Sequence, residues 1–272
     1  MLPGTQAFAL ASQATGHDYR IEVAVPDASP PQDGYPVLYV LDGNARLPLM
    51  MAARDVFMRR AETPWLMVGV GYADTQGLAR DARTLDYTPP LLDQRYAGQQ
   101  NPRSAGGADA FLAFIENELK PAVNARFAVN ASREALMGHS FGGLFTLYAL
   151  HQRPESFSDY VAVSPSLWWN FGDLFNAYCG ERQAAPIAAP GVLVMRGSEE
   201  GTRVPDGLPE GIAADVHEQE SPRADKADRL ASRLDTCRPQ WDVSFTLFDG
   251  ENHGSVLWPA ARKTLEFLRA AD

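Results

Sequence analysis

Short apolar runs alternate along the chain with segments in which apolar residues recur at helical spacing. The short runs predict buried strands, and the longer periodic segments predict helices. Because strands and helices take turns at the spacing of βαβ crossovers, we expect an α/β fold with a mainly parallel sheet and helices on both faces. The predicted strands occupy 19–26, 35–43, 64–72, 134–140 and 241–250, and the segments 158–166 and 191–201 are each predicted to be a strand followed by a loop or turn.

The helical segments complete this alternation. Pro121 should kink or break the second of them, because proline has no N–H to donate. Two polar stretches, 73–103 and 201–222, are predicted to be a long surface loop and an inserted loop. No internal repeat is visible, so we expect one domain over 1–272. The predicted helices occupy 44–60, 104–127, 141–154, 224–234 and 257–270.

Composition narrows the functional classes. The 272 residues are 45% hydrophobic and 21% charged, values that are ordinary for a globular protein and give no membrane span. A formal net charge of −10 argues against a nucleic-acid partner, since duplex binding depends on basic surfaces.

Cys179 and Cys237 are the two cysteines, and they form no CxxC or Cys/His pattern of zinc spacing. We therefore expect no metal and no cofactor. The two thiols would pair in an oxidising compartment and stay separate in a reducing one. The N-terminus lacks the basic start and apolar core of a secretory signal, which predicts a cytoplasmic protein if Met1 is native.

The segment Gly138-His139-Ser140-Phe141-Gly142 lies between a predicted strand and a predicted helix. This spacing in this context is typical of a nucleophile elbow, a strained turn that exposes the serine hydroxyl above the end of a sheet. We expect Gly138 and Gly142 to lie where the backbones of the strand and the helix pass too closely for any side chain. The alternative is an ordinary tight turn.

A serine nucleophile needs a base, and in enzymes with this elbow the base follows an acid along the chain. His253 has the expected position, in the loop between the last strand and the last helix. We expect His139 to point away from Ser140. The other four histidines lie near the N-terminus, inside the elbow, at a helix end or in the inserted loop: His17, His139, His151 and His217.

The acid is expected in the turn after the strand at 191–195, where Glu200 is the favoured residue and Glu199 the alternative. An acid there would fix the tautomer of His253 and stabilise its cation. Asp206 and Asp215 lie deeper in the inserted loop and fit less well. Two solvated turn carboxylates are the alternative to any catalytic role.

The oxyanion formed during acyl transfer needs two donors. The N–H of Phe141, directly after the nucleophile, is one candidate. The turn after the strand at 35–43 supplies the other from Gly43 or Asn44.

Six segments, in this order and spacing, resemble the bacterial putative-esterase family of α/β-hydrolases. Within that family the resemblance is to the trilactone esterases that hydrolyse catecholate siderophores such as enterobactin and salmochelin. It runs from about residue 5 to 270, although S-formylglutathione hydrolases and mycolyltransferases share the elbow. The segments are YPVLYVLDGN, DARTLDYTPP, GHSFGGLFTLYAL, VSPSLWWN, RGSEEG and DGENHGSVL.

The resemblance implies that Ser140 is the nucleophile and His253 the base. It also implies that Arg83 faces the pocket and binds an anionic or carbonyl group, with an ion pair that fastens its loop as the alternative. Trp168 and Trp169 match an aromatic pair that would flank catechol rings, although such pairs more often fill a core. Some trilactone esterases use a Ser-His dyad, in which case Glu200 would have no catalytic part.

The leading hypothesis is a serine carboxylesterase that opens a catecholate siderophore trilactone and releases iron, with a small-molecule ester, including a ferric siderophore, as its partner. A general carboxylesterase or an acyltransferase of the same fold is the second hypothesis. A hydrolase-fold binding protein without turnover is the third, and the intact elbow and histidine argue against it. Several characterised relatives in the resembled family are periplasmic, so the resemblance implies a periplasmic protein if an export signal has been trimmed.

Overall fold

Eight strands form one sheet in this computed structural model, which describes residue 2 and residues 4–57, 63–90, 105–169, 174, 189–200 and 226–270. The strands are β1 (Thr5–Ala11), β2 (Asp18–Ala24), β3 (Tyr35–Leu41), β4 (Leu66–Tyr72), β5 (Val129–His139), β6 (Asp159–Val163), β7 (Gly191–Gly197) and β8 (Asp242–Phe248). Their order in the sheet is β1-β2-β4-β3-β5-β6-β7-β8. β2 runs antiparallel to both of its neighbours, and all pairs from β4·β3 to β7·β8 are parallel, so the predicted sheet type is confirmed.

The described helices connect these strands. They are α1 (Gly43–Phe57), α2 (Arg80–Tyr87), α3 (Ala108–Phe114), α4 (Lys120–Asn124), α5 (Phe141–Gln152), α6 (Lys226–Cys237) and α7 (Leu257–Ala270), with a 3₁₀ turn at Pro154–Ser156. A π-helical turn, Ile115–Leu119, joins α3 to α4. Pro121 lies in the first turn of α4, where its missing N–H relaxes the helical hydrogen-bond ladder without ending the helix.

Two buried clusters cover the two faces of the sheet. Phe111 of α3, Leu147 of α5 and Leu230 of α6 belong to the cluster on one face. Leu47 of α1 and Leu265 of α7 belong to the cluster on the other. The central strand β3 is buried along its whole length because helices cover both of its sides.

Two described elements differ from the expectations. Strand β1 was not predicted from the sequence; it is an edge strand whose side chains are all exposed or half-buried. Helix α2 lies within the predicted 73–103 loop. Its buried residues are Arg83, Asp86 and Tyr87, so polar side chains occupy the stripe where the sequence pattern requires apolar ones.

Asp86 shows why that polar stripe is buried. Its carboxylate accepts hydrogen bonds from the hydroxyls of Tyr19 at 2.6 Å and Tyr72 at 2.9 Å, and His17 Nδ1 lies 3.4 Å away. Burial raises the pKa of Asp86, and these hydrogen bonds partly oppose that rise. The cluster fastens α2 to strands β2 and β4.

Several sequence predictions fall outside the described residues. They include the inserted loop at 201–222 with Asp206, Asp215 and His217, the end of the 73–103 loop, and Cys179. No helix of the described residues is long and apolar enough to cross a membrane.

Candidate active site

The turn between β5 and α5 holds Ser140 at φ 61° and ψ −119°, a conformation that non-glycine residues rarely adopt. A Cβ atom at Gly138 would lie 2.1 Å from the carbonyl oxygen of Gly142, so strand and helix approach too closely there for a side chain. Gly142 differs from the expectation, since a Cβ on it would meet nothing closer than 3.5 Å. The second crowded glycine is Gly143, whose Cβ would lie 2.9 Å from a carbonyl oxygen of β6. The turn has the geometry of a nucleophile elbow.

A pocket of about 300 Å³ opens above this turn, at the carboxyl ends of the parallel strands. Loops from this edge of an open α/β sheet commonly form the ligand site. Ser140 and His253 both line the pocket, although 113 positions separate them in the chain. The described lining residues are Ser140, Phe141, Ser164, Pro165, Ser166, Trp168, Arg196, Glu200, Ala227 and His253.

Glu200 holds the imidazole of His253. Its Oε2 lies 3.1 Å from His253 Nδ1, while its Oε1 accepts hydrogen bonds from the Ser164 hydroxyl at 2.5 Å and the Gly197 N–H at 2.7 Å. Burial alone raises the pKa of Glu200, but these hydrogen bonds outweigh it and leave the pKa below its ordinary value. An ionised Glu200 therefore accepts a hydrogen bond from Nδ1–H, which leaves Nε2 unprotonated and able to act as the base. Glu199, the alternative, is exposed.

The Ser140 hydroxyl lies 3.4 Å from the hydroxyl of Ser166, which is 5% exposed and whose N–H donates to the Ser140 carbonyl. Between the described residues Ser140 and His253 the structure has no direct hydrogen bond. The His253 side chain is 51% exposed and lines the same pocket as Ser140. Catalytic hydrogen bonds often tighten only when substrate binds. Ser166 was not predicted from the sequence as a site residue.

The expected oxyanion donors lie at two helix N-termini. Phe141 begins α5 and Gly43 begins α1, and the first N–H groups of a helix have no acceptor within it. A Cβ on Gly142 would lie 3.8 Å from Asp42 Oδ2, so the turn after β3 adjoins the elbow. The Asn44 side chain is hydrogen-bonded to the backbone of Tyr72. The backbone N–H of Asn44 is therefore the group that remains available to a ligand. The turn that carries Gly43 and Asn44 thus adjoins the elbow that carries Phe141, and their role as oxyanion donors stays a prediction.

Arg83 fastens the turn after β3. Its Nε and Nη2 lie 2.8 and 2.9 Å from the two carboxylate oxygens of Asp42, and Nη2 lies 3.4 Å from the His139 carbonyl. Burial lowers the pKa of Arg83, but the Asp42 charge outweighs it and raises that pKa overall. Asp42 also has φ 54° and donates its N–H to the Tyr87 hydroxyl. Arg83 therefore joins the two oxyanion turns, as in the loop-fastening alternative, and it is not among the residues that line the pocket.

The two tryptophans have different environments. Trp168 lines the pocket beside Phe141, with 5.8 Å between ring centroids. Trp169 is 2% exposed and donates its indole N–H to the Pro89 carbonyl at 3.1 Å. The expectation that both flank a ligand is corrected, because Trp169 belongs to the buried core and only Trp168 reaches the pocket.

His139 has a contact that the sequence analysis missed. It points away from Ser140, as expected, but its Nε2 lies 2.8 Å from the backbone oxygen of His253. Burial lowers the pKa of His139 well below its ordinary value, and the neighbouring His253, Arg46 and Arg83 charges lower it further. The ring is therefore neutral, and Nε2 carries the proton that binds the carbonyl.

Comparison with known proteins decides the family. A family described as Putative esterase matches residues 12–253. The chain belongs to this family. The protein is accordingly a serine esterase with an α/β-hydrolase fold.

Three relatives illustrate the similarity of this esterase to known proteins. The siderophore triacetylfusarinine C esterase of Aspergillus fumigatus is 36% identical over 94% of this chain and 90% of its own. The ferri-bacillibactin esterase BesA of Bacillus subtilis is 37% identical over 62% of this chain and 61% of its own. The solved structure of the siderophore hydrolase EstA from Aspergillus nidulans superposes with a TM-score of 0.82 at 29% identity, over 99% and 95% of the two chains.

The arrangement supports acyl transfer through a covalent intermediate. We propose that His253 takes the proton of Ser140 as the hydroxyl attacks the ester carbonyl, while N–H groups at the two helix termini stabilise the oxyanion. The proton then passes to the leaving alcohol, and water hydrolyses the acyl-enzyme with His253 again as the base. Among the described residues no group of three or more His, Cys, Asp or Glu side chains could hold a metal ion.

Proposed function

We propose that this esterase hydrolyses the backbone esters of a siderophore trilactone of the catecholate type and thereby releases iron. The observation that carries the proposal is the joint position of Ser140, the His253–Glu200 pair and the Trp168–Phe141 aromatic wall in one pocket. The relatives named as esterases of siderophores support the substrate class.

The pocket volume supports a particular binding mode. About 300 Å³ lies at the lower end of the range for ligand pockets. A trilactone with three arms is larger than this, so one ester and its arm would enter while the rest stays at the mouth. The flat rings of a catecholate arm would stack on Trp168 and Phe141.

The test is a comparison of substrates by liquid chromatography and mass spectrometry. Enterobactin, its ferric complex, triacetylfusarinine C and p-nitrophenyl butyrate are each incubated with wild-type protein and with Ser140→Ala. We expect the highest kcat/KM for a catecholate trilactone, with linear trimer and monomer as products. Ser140→Ala should lose about 10⁴- to 10⁶-fold in kcat, because it removes the nucleophile.

Two outcomes would contradict the proposal. A higher kcat/KM for p-nitrophenyl butyrate than for every trilactone would indicate a general carboxylesterase or an acyltransferase. A higher kcat/KM for triacetylfusarinine C than for enterobactin would leave a siderophore esterase but reject the catecholate preference.

We also propose that the protein acts in the periplasm. Cys237 is disulfide-bonded, and Cys179 is the other cysteine of the chain. Disulfides persist in oxidising compartments such as the periplasm, which supports this location. Fractionation of the native host with thiol alkylation tests it: a cytoplasmic protein with both thiols free would contradict the proposal.

A further inference from the structure

Arg196 places a positive charge in the active-site pocket. It lies near the end of β7 and lines the same pocket as Ser140, His253 and Glu200. Its Nη1 makes one long contact, 3.4 Å to the carbonyl of Gly197. Its Nε is buried and has no hydrogen-bond partner.

No described carboxylate neutralises this charge within 4.0 Å. Glu200 is the acid of the pocket, and its two oxygens already accept hydrogen bonds from His253, Ser164 and Gly197. Arg83 is the contrasting case, because Asp42 binds both of its donor nitrogens. Of these two arginines, Arg196 is the one whose guanidinium N–H groups remain available to a ligand.

A partly buried guanidinium without an anion has lost hydration, and the one long contact to the Gly197 carbonyl replaces only part of it. Guanidinium has donors in a planar fork that matches two adjacent oxygens of a carboxylate or a catecholate. The positive charge of Arg196 acts only locally, because the chain as a whole carries a net charge of −10 and repels anions.

We propose that Arg196 is the anion-binding residue of this pocket and selects esters that carry a negative charge close to the scissile bond. The inference rests on the proposed ester hydrolysis at Ser140 and deepens it. Trp168 and Phe141 line the same pocket, so a ligand group that is both flat and anionic, such as a catecholate, satisfies the aromatic wall and the charge together. A ferric tris-catecholate is an anion, whereas a ferric tris-hydroxamate is neutral, so Arg196 favours the former.

The test uses two esters that differ in one charge, the mono-4-nitrophenyl ester of adipic acid and its methyl ester. The measured quantity is the ratio of kcat/KM for the anionic ester to that for the neutral ester. Arg196→Gln should lower this ratio about 10-fold or more, the effect of losing a hydrogen bond to a charged group. Arg196→Glu should lower it further and Arg196→Lys less, and added salt should reduce the ratio of the wild type.

The matched control is Arg262→Gln. Arg262 lies on α7, has a side chain that is 60% exposed, and pairs with Glu266 outside the pocket. The variant makes the same change in net charge and should keep the wild-type ratio. A ratio for Arg196→Gln within roughly twofold of the wild type, which is less than this effect, would overturn the proposal.

Failure of the wild type to hydrolyse the adipate esters and the trilactones alike would contradict the proposed function instead. Whenever the adipate esters are not hydrolysed, calorimetry with 2,3-dihydroxybenzoate tests the subsite directly, because binding needs no turnover. Wild type should bind this aromatic anion more tightly than Arg196→Gln does. Equal affinities would overturn the assignment of Arg196.

Discussion

His139 Nε2 donates a hydrogen bond to the backbone oxygen of His253 over 2.8 Å, and the two imidazole rings lie 4.7 Å apart. The residue beside the nucleophile thus holds the loop that carries the base. This contact and the His253–Glu200 hydrogen bond fix the base from two sides, one through its backbone and one through its ring.

Loss of the His139 hydrogen bond should lower kcat more than it changes KM. His139→Leu removes the donor, and the displaced His253 should reduce kcat about 10- to 100-fold, as small misplacements of catalytic groups do. His139→Gln places an amide N–H at the position of Nε2 and should restore most of the activity. Steady-state kinetics on one ester measures both parameters. Equal losses in the Leu and Gln variants would show that the hydrogen bond does not position the base.

His139 should also make stability depend on pH. The pKa of His139 in the folded protein lies well below the ordinary value, whereas its pKa in the unfolded chain is about 6.5. Below that pH the unfolded state binds more protons, so the free energy of unfolding falls as pH is lowered, by at most about 1.4 kcal/mol per pH unit. The free energy of unfolding, measured with denaturant from pH 7 to pH 5, should fall more for wild type than for His139→Gln. Parallel curves for the two proteins would contradict this.

Glu200→Gln should reduce kcat less than Ser140→Ala does. The carboxylate orients His253 and stabilises its cation but exchanges no proton with substrate, so we expect a loss of about 10- to 10⁴-fold. Glu199→Gln is the matched control, since it makes the same charge change at the exposed neighbour. Stopped-flow or steady-state turnover of a chromogenic ester gives the comparison. Full activity in both variants would identify a Ser-His dyad.

Arg83→Ala should weaken turnover of every ester alike. The variant leaves Asp42, whose side chain is 1% exposed, as a buried carboxylate without its partner. Breaking such a pair costs about 3–5 kcal/mol, and the turn that carries Gly43 should loosen. Thermal unfolding and kinetics on the charged and neutral adipate esters test this. A selective loss on the anionic ester would instead support the binding role that the resemblance implied for Arg83.

The sequence by itself determined the parallel sheet and the catalytic order along the chain. Apolar runs followed by periodic segments are local patterns, and they placed Ser140 after a strand and His253 between the last strand and the last helix. The turn after β7 limited the acid to Glu199 or Glu200, because parallel strands present their carboxyl ends at one edge of the sheet. These inferences needed only spacing and chain order.

The tertiary structure alone decided which polar side chains meet. Helix α2 buries Arg83 and Asp86, so its buried stripe has no apolar pattern to detect. The Arg83–Asp42 and His139–His253 contacts join residues 41 and 114 positions apart. A buried polar group must find a partner, but its sequence neighbours do not say which one, because the partner is set by how strands and loops pack. For the same reason only the folded chain distinguishes Arg196, whose charge has no described partner, from Arg83, whose charge is paired.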